Sequence, residues 1–455
     1  MIMTLKEIFA MKTTENGDNA YNTTMNPMLD ILFMSEYYGK HLDEIPYIGT
    51  SMTAKLFAMM MRDPRFGLGR RELGRRLMLL TEVTPSDVVK AGRFDDLFIG
   101  WEQMDDISFA KMCEFLYSEI KSGNELCKKW MPRYSSKNLM LARKIAKQFH
   151  MNKQTYGHFI KSDTTENKLS RHRTDEIIFS QVPSLAMIKY FNRFSTGEDT
   201  KVRFQKYLED VRSGKQELKI STTNVYDIYK NRDKIDPDLF FSKIEKISGS
   251  WIPVVDSSGS MQDSNDSYGK ALAVGHYLAK CSTYAPDTVL SFSSYPALLK
   301  LGVENTYTRH GYWRTSEFTR QRLMEKKSQY KRELESMYTG DCSNTDFGAV
   351  CAKLKELDSK NAPDWIVVLS DMEFDSGSNQ TKDEMMNIFK QNGMHTKLVW
   401  WNFNAHNTTS PETDKYRNIF MSGYSPMLLK FLNVGFDGQK FLNTLIEEYS
   451  KNILK

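Results

Sequence analysis

The stretch Trp251-Ile-Pro-Val-Val-Asp-Ser-Ser-Gly-Ser260 decides how this chain is read. Its first five residues are apolar, three of them β-branched, and Ser248-Gly249-Ser250 precedes them. A short apolar run between Ser/Gly clusters predicts a strand buried on both faces. At its carboxyl end Asp256, Ser258 and Ser260 alternate. In open α/β sheets this end of a strand is where ligands bind. Donors that are all oxygen suit a hard cation such as Mg²⁺ rather than zinc.

Working outward, strand-like and helix-like patterns alternate to the end of the chain. Strands are expected at 289–293, 298–301, 365–370, 396–402 and near 418–421. Helices are expected at 268–284, 346–357, 381–392, 425–433 and 437–453. This predicts a mostly parallel sheet with helices on both faces, an α/β doubly wound (Rossmann-like) domain over 247–455. Residues 304–337 are polar, aromatic and basic, too long for an ordinary connection, and read as an insertion with a helix around 316–330. Trp400-Trp401 on one strand should place one ring inward and one outward; the structural reading is helix-to-sheet packing, and an exposed ring would be available to an interface.

Two further loops carry oxygen groups. Ser343-Asn344-Thr345-Asp346 precedes a helix, and Asp371 ends the strand 365–370 within Leu369-Ser-Asp-Met-Glu-Phe-Asp375. Asp256, Ser258, Ser260, Thr345 and Asp371 therefore come from three loops at one sheet edge. Two carboxylates and three hydroxyls leave a six-coordinate Mg²⁺ unsaturated, so waters or a partner's carboxylate would complete its shell.

Before residue 247 the chain reads differently. Residues 1–24 are a lead-in with a polar centre. From 25 to 246 apolar residues recur at three and four spacing, in 28–38, 51–61, 72–80, 107–119, 137–149 and 182–195. This predicts an all-α domain of short helices, a HEAT-like helical repeat without a strict period. Residues 161–180, polar and charged, read as a loop.

The net charge of +5 is unevenly distributed. Residues 1–247 hold 39 Lys/Arg against 33 Asp/Glu, and 248–455 hold 23 against 24. Residues 62–76 carry six Arg against Asp63 and Glu72, and 121–161 carry ten Lys/Arg against Glu125. Such patches suit a polyanion and equally suit solvated helix faces. As RNA contacts the candidates are Arg65, Arg70, Arg71, Arg75, Arg76, Lys128, Lys129, Arg133, Lys137, Arg143, Lys144 and Lys147. Helical spacing puts Arg71 with Arg75 and Arg143 with Lys147, and it also puts Lys137 with Lys144. Trp130, Tyr134, Phe149, His150, Tyr156 and His158 are interleaved and offer faces for unpaired bases, or else belong to a core.

Other chemistries find little support. There is no G-x-x-x-x-G-K-[ST], no G-x-S-x-G and no H-E-x-x-H. His276 reads as a packed histidine, and the chain as no enzyme. The five Cys are scattered without a C-x-x-C, as in reduced intracellular proteins. No secretory signal or spanning segment is expected, so the location should be cytoplasmic, the host cytoplasm if the protein is viral.

Asp256-x-Ser258-x-Ser260, then Thr345, then Asp371 resembles the metal-ion-dependent adhesion site of a von Willebrand factor A domain. The resemblance implies direct contact of Ser258, Ser260 and Thr345 with the metal, and contact through water for Asp256 and Asp371. Arg62-Asp-Pro-Arg-Phe-Gly-Leu-Gly-Arg-Arg-Glu-Leu-Gly-Arg75 is similar to a segment of the TROVE-like family related to the Ro autoantigen, with Leu68 and Arg70 departing from that pattern. Residues 91–98, 129–133, 181–187 and 421–429 resemble further landmarks. The resemblance implies a helical-repeat domain joined to an A-type domain, a ribonucleoprotein component that binds structured or single-stranded RNA. The alternative is a metal-dependent protein-interaction scaffold or viral assembly factor without nucleic acid.

Overall fold

The computed structural model describes residues 11–13, 19–21, 24, 26–64, 67–91, 93–220, 223–263, 266–293, 295–303, 327–338, 347–354, 362–371, 396–403, 419–424, 426–432 and 437–453. Helices make up most of the described residues before 247, and a six-stranded sheet with helices follows. A short antiparallel hairpin, β1 (Met11–Thr13) with β2 (Asn19–Tyr21), lies in the stretch read as a lead-in.

The sheet contains β3 (Trp251–Asp256), β4 (Thr288–Phe292), β5 (Leu298–Lys300), β6 (Trp365–Ser370), β7 (Lys397–Asn402) and β8 (Ile419–Ser422). Its order is β5-β4-β3-β6-β7-β8, parallel throughout except for β5. The chain runs outward from β3 to one side and then, from β6, to the other. The carboxyl ends of β3 and β6 therefore flank the point where strand order reverses, the place where such sheets bind ligands.

The apolar runs form these strands because both faces are covered. On one face Ile252, Val254, Leu290, Phe292, Ile366, Val368, Leu398 and Trp400 pack with Val350 and Leu354 of the helix Phe347–Leu354. On the other, Gly275 of the helix Ser267–Cys281 lies so close to the sheet that an added Cβ would meet Val255 Cγ2 at 2.5 Å. Trp251 donates its indole N–H to the carbonyl of Leu278 at 2.8 Å on that side. Of the two readings of Trp400-Trp401, the exposed ring is corrected and packing agrees: both indoles are buried, and Trp401 donates to the Gly423 carbonyl at 2.8 Å. Alternation does send them to opposite faces, but neither face is open to solvent.

The chain forms two compact units that do not follow the change of pattern at 247. One comprises Met1–Pro46 with Thr222–Asn443, the other Tyr47–Ser221 with Thr444–Lys455. Within the first, Phe33 of the helix Pro27–Phe33 packs on Phe431 and Phe441, with ring centroids 5.2 and 6.1 Å apart. The helix Val225–Asn231 likewise belongs with the sheet. In the second unit, the helices Met52–Arg62 and Arg71–Leu80 meet at Gly74, where a Cβ would come within 2.5 Å of Arg62 Cα.

Several expectations shift in detail. Residues 161–180 are structured, with a helix Thr165–Ser170 and two 3₁₀ turns. The 15-residue helix Glu198–Arg212 was not among the expected elements. Its buried Phe204, Tyr207, Leu208 and Val211 do follow helical spacing, but charged residues surround them. In the insertion, the described helix is Gln329–Ser336. The expected helix 381–392 and most of 316–330 lie outside the described residues.

Candidate metal centre and basic surface

The strand-end site is built on the β3–β6 pairing. Val255 stands opposite Leu369, which brings Asp256 level with Ser370 and next to Asp371. Asp256 and Asp371 are both buried. Asp256 Oδ1 accepts from the Ser258 backbone N–H at 2.9 Å, and Oδ2 accepts from Ser370 Oγ at 2.5 Å. Ser258 Oγ and Ser260 Oγ are 3.0 Å apart. Four of the five expected ligand positions are thus described at the carboxyl ends of β3 and β6. The fifth, Thr345, lies outside the described residues, as do Glu373 and Asp375.

The electrostatics suit a cation. Burial pushes the Asp256 carboxyl up to about 6, with Asp371 adding to the rise and hydrogen bonds from Ser370 and Ser258 opposing it. A nearby positive charge would reverse that shift. Two buried carboxylates beside two hydroxyls are a donor set for a hard divalent ion that keeps some of its waters. Among the described residues no group of three or more His, Cys, Asp or Glu gathers to hold a metal.

Around the loop after β3 stand residues that sequence reasoning missed. Tyr226 donates to Asp266 Oδ2 at 2.7 Å, and Tyr424, just past β8, donates to Asn224 Oδ1 at 2.9 Å. Asn224 also caps the helix Val225–Asn231. Asp266 has φ +56°, an uncommon conformation for a non-glycine residue. Gly269 is required beside it, since a Cβ there would lie 2.5 Å from Asp266 Oδ1 and 2.6 Å from the Tyr229 ring. Only Ser370 had a sequence signal, its place immediately before Asp371.

His276 is fully buried, as expected for a packed histidine. Its Nε2 lies 2.7 Å from Glu333 Oε2, and its ring packs between Phe241 and Tyr330. Burial alone would raise the Glu333 carboxyl, but hydrogen bonds from His276, Gln329 and Lys280 bring it down to about 2.

The two basic stretches diverge. In the first, Arg62 Nε donates to Asp96 Oδ1 at 3.0 Å and Nη2 to Asp95 Oδ2 at 2.5 Å. Arg75 reaches the same two carboxylates at 2.9 and 3.2 Å, and Arg71 reaches Asp95 at 3.2 Å. Arg93 pairs with Asp63. Burial and Asp95 push the Asp96 carboxyl up, against the pull of Arg62 and Arg75. Arg71 and Arg75 do share a face, but that face is turned to aspartates. Arg70 is half-buried, Arg76 is exposed, and Arg65 lies outside the described residues.

In the second stretch Lys128 pairs with Glu125 at 2.8 Å and Lys129 with Glu166 at 3.5 Å. Lys144 lies 3.8 Å from Asp106 and 4.2 Å from the centroid of the Phe109 ring. Arg133, Lys137, Arg143 and Lys147 are exposed, and among the described residues no carboxylate stands within ion-pair distance of them. Lys137 sits on the 3₁₀ turn Ser136–Asn138, ahead of the helix Leu139–Gln148, so its helical register with Lys144 does not hold. Phe149 and Tyr156 are core residues, Tyr156 donating to the Pro132 carbonyl at 2.9 Å. They are closed to bases because rings from three helices interlock there: Tyr117, Phe149 and Phe159 meet at 5.1 to 5.8 Å. Trp130 and Tyr134 are half-buried, and His150 and His158 are exposed.

Two domains of unknown function match this chain, DUF2828 over residues 125–229 and DUF7788 over 250–452. An uncharacterized protein, L728, of Acanthamoeba polyphaga mimivirus is 24% identical, with 96% of this chain and 88% of that protein covered. The crystal structure of the Deinococcus radiodurans RO (RSR) protein aligns with a TM-score of 0.41 and 10% identity, covering 97% of this chain and 95% of that one. No described helix is long and apolar enough to cross a membrane.

Proposed function

We propose that this chain is a non-catalytic RNA-binding protein whose strand-end site holds Mg²⁺ or another divalent cation. The observation that carries the RNA reading is the exposed set Arg133, Lys137, Arg143 and Lys147, without carboxylate partners among the described residues. Ion pairs inside the protein neutralise a basic residue toward a distant polyanion, and these four escape that fate. The TROVE-like motifs in the sequence point the same way. Arg71 and Arg75 are weaker candidates than their sequence suggests, since Asp95 and Asp96 already accept their hydrogen bonds.

In the cation reading, Asp256, Ser258, Ser260 and Asp371, with Thr345, hold the ion, which supplies a positive charge able to take a partner's carboxylate. The chain's own residues orient the donors, Ser370 and the Ser258 N–H holding the Asp256 carboxylate.

Crosslinking and sequencing of RNA that copurifies with the protein tests the first reading. Protein that stays free of RNA at low salt would sink it. Capture of a protein that is lost on adding chelator would favour the scaffold alternative. Mg²⁺-dependent stabilisation that persists in Asp256→Ala would remove the cation from this site.

A further inference from the structure

We propose that the helix Gln329–Ser336 is a latch, closed at neutral pH and released by acid, with His276 as its trigger. The inference is independent of the cation and RNA readings. The helix lies in the stretch read as an insertion, and side chains of other segments hold it. At its start Asp238 Oδ2 accepts the Gln329 N–H at 3.2 Å, and Oδ1 accepts the Tyr330 N–H at 2.7 Å. At its rim Lys331 pairs with Asp233 at 2.9 Å. At its middle Glu333 is buried against the helix Ser267–Cys281, its Oε2 lying 2.7 Å from His276 Nε2. Glu333 Oε1 accepts from Lys280 Nζ at 3.1 Å and from Gln329 Nε2 at 2.8 Å.

The protonation states follow from these contacts. Although burial raises it, hydrogen bonds from His276, Gln329 and Lys280 bring the Glu333 carboxyl down to about 2, so Glu333 accepts and does not donate. His276 Nε2 therefore carries the proton, and Nδ1 is bare in the neutral ring. Nδ1 is buried and has no hydrogen-bond partner among the described residues. A second proton would create a buried N–H without an acceptor, which is costly. The charged groups around the ring are Glu333 on the latch, Lys280 on its own helix and Asp287 before β4, which pairs with Lys280 at 2.8 Å. The Phe241 ring and the Tyr330 phenol close the remaining sides. Burial holds the His276 imidazole below its ordinary value, with Lys280 adding to the fall and Glu333 and Asp287 opposing it. The Tyr330 hydroxyl, on the latch itself, is another buried polar atom without a partner among the described residues. Opening hydrates both atoms, so release regains hydrogen bonds that the closed latch lacks.

A histidine lowered in the closed state leaves the latch at full strength above its free value of about 6.5. Below that value the open state takes up a proton that the closed state refuses, and closure weakens as pH falls. The opening constant of the latch should rise about tenfold between pH 7.5 and 5.5. Glu333, being lowered, weakens closure only as pH falls below its free value of 4.5, outside that range. The test is hydrogen–deuterium exchange of the full chain across these pH values, corrected for the chemical exchange rate. Peptides covering 329–336 should show the tenfold rise, while the strand Trp251–Asp256 keeps its protection. His276→Gln donates to Glu333 from an amide that does not titrate, so its opening should be flat over the same range. In the wild type, nitrogen NMR of the histidine rings should show His276 as the neutral Nε2–H form at pH 7.5. Protection of 329–336 that does not change with pH, or that is lost only together with the strand, overturns the proposal. So does a His276→Gln chain with the wild-type pH dependence, or a wild-type His276 protonated at Nδ1 at pH 7.5.

Discussion

Residues 62–76 carry six Arg and residues 121–161 ten Lys/Arg, yet the fold surrounds the two stretches differently. In the first, Arg62, Arg71 and Arg75 converge on Asp95 and Asp96 and fasten the pair of helices Met52–Arg62 and Arg71–Leu80 to the 3₁₀ turn Phe94–Phe98. In the second, Arg133, Lys137, Arg143 and Lys147 remain exposed. The difference teaches that a basic run is an anion site only where the fold brings no carboxylates to it. Charge alone cannot say which, because the deciding aspartates sit about twenty to thirty residues downstream in sequence.

The largest expected effect falls on the first stretch. Arg62→Ala leaves two buried carboxylates short of a partner and should destabilise the unit that holds them by about 3–5 kcal/mol. Chemical unfolding measures it, and a loss under 1 kcal/mol would break the distinction between the two stretches. RNA affinity of the folded fraction should stay as in the wild type.

A buried carboxylate that lacks arginine partners sharpens the contrast. Among the described residues Asp256 has hydroxyl and amide donors alone, and burial pushes its carboxyl up to about 6 in the folded chain. An unfolded aspartate titrates near 3.9, so the folded value is raised. Its contribution to stability is then fully present below about pH 4 and lost as pH rises through 6. In metal-free buffer the wild type should lose on the order of 3 kcal/mol relative to Asp256→Asn between pH 4 and 7. Parallel stability curves for the two proteins would contradict the assignment.

For the second stretch, the combined change of Arg133, Lys137, Arg143 and Lys147 to Gln should weaken RNA binding and flatten its salt dependence. With four phosphate contacts removed, the slope of log K against log salt should shrink by about 3. Filter binding across a salt series reads it, and an unchanged slope would move the RNA surface elsewhere. The smallest effect is on stability: Arg143→Gln alone should shift unfolding by less than about 0.5 kcal/mol, as for an exposed residue with no ion-pair partner among the described residues. A larger loss would mean that this residue, too, is part of the fold.

Much of the site was legible before any coordinates. The run Trp251–Val255 identifies a strand buried on both faces, and the alternation Asp256, Ser258, Ser260 places oxygens at its end. Ser370 was harder to see, because its role depends on β3 and β6 being neighbours in register, and pairing is not written in either strand. Tyr226 meets the loop after β3 at Asp266 from 40 residues upstream, and Tyr424 reaches Asn224 across 200 residues, distances no local pattern spans. The ion pairing of the first basic stretch was hidden for a related reason. Arg71 and Arg75 share a helix face by spacing, but spacing does not reveal what stands opposite that face.

By itself, the sequence determined the elements that local chemistry dictates: the buried strands from their β-branched apolar runs, the amphipathic helices from their three and four spacing, and the oxygen donors at strand ends. Tertiary structure alone decided which charges are neutralised, which aromatic rings are core, and which donors clamp Asp256. It also assigned residues 27–46 and 223–246 to the unit that carries the sheet. The physical reason is range. Backbone preference and side-chain periodicity act within a few residues, whereas ion pairing, burial and hydrogen bonding to Asp256 depend on segments that meet only when the chain has folded.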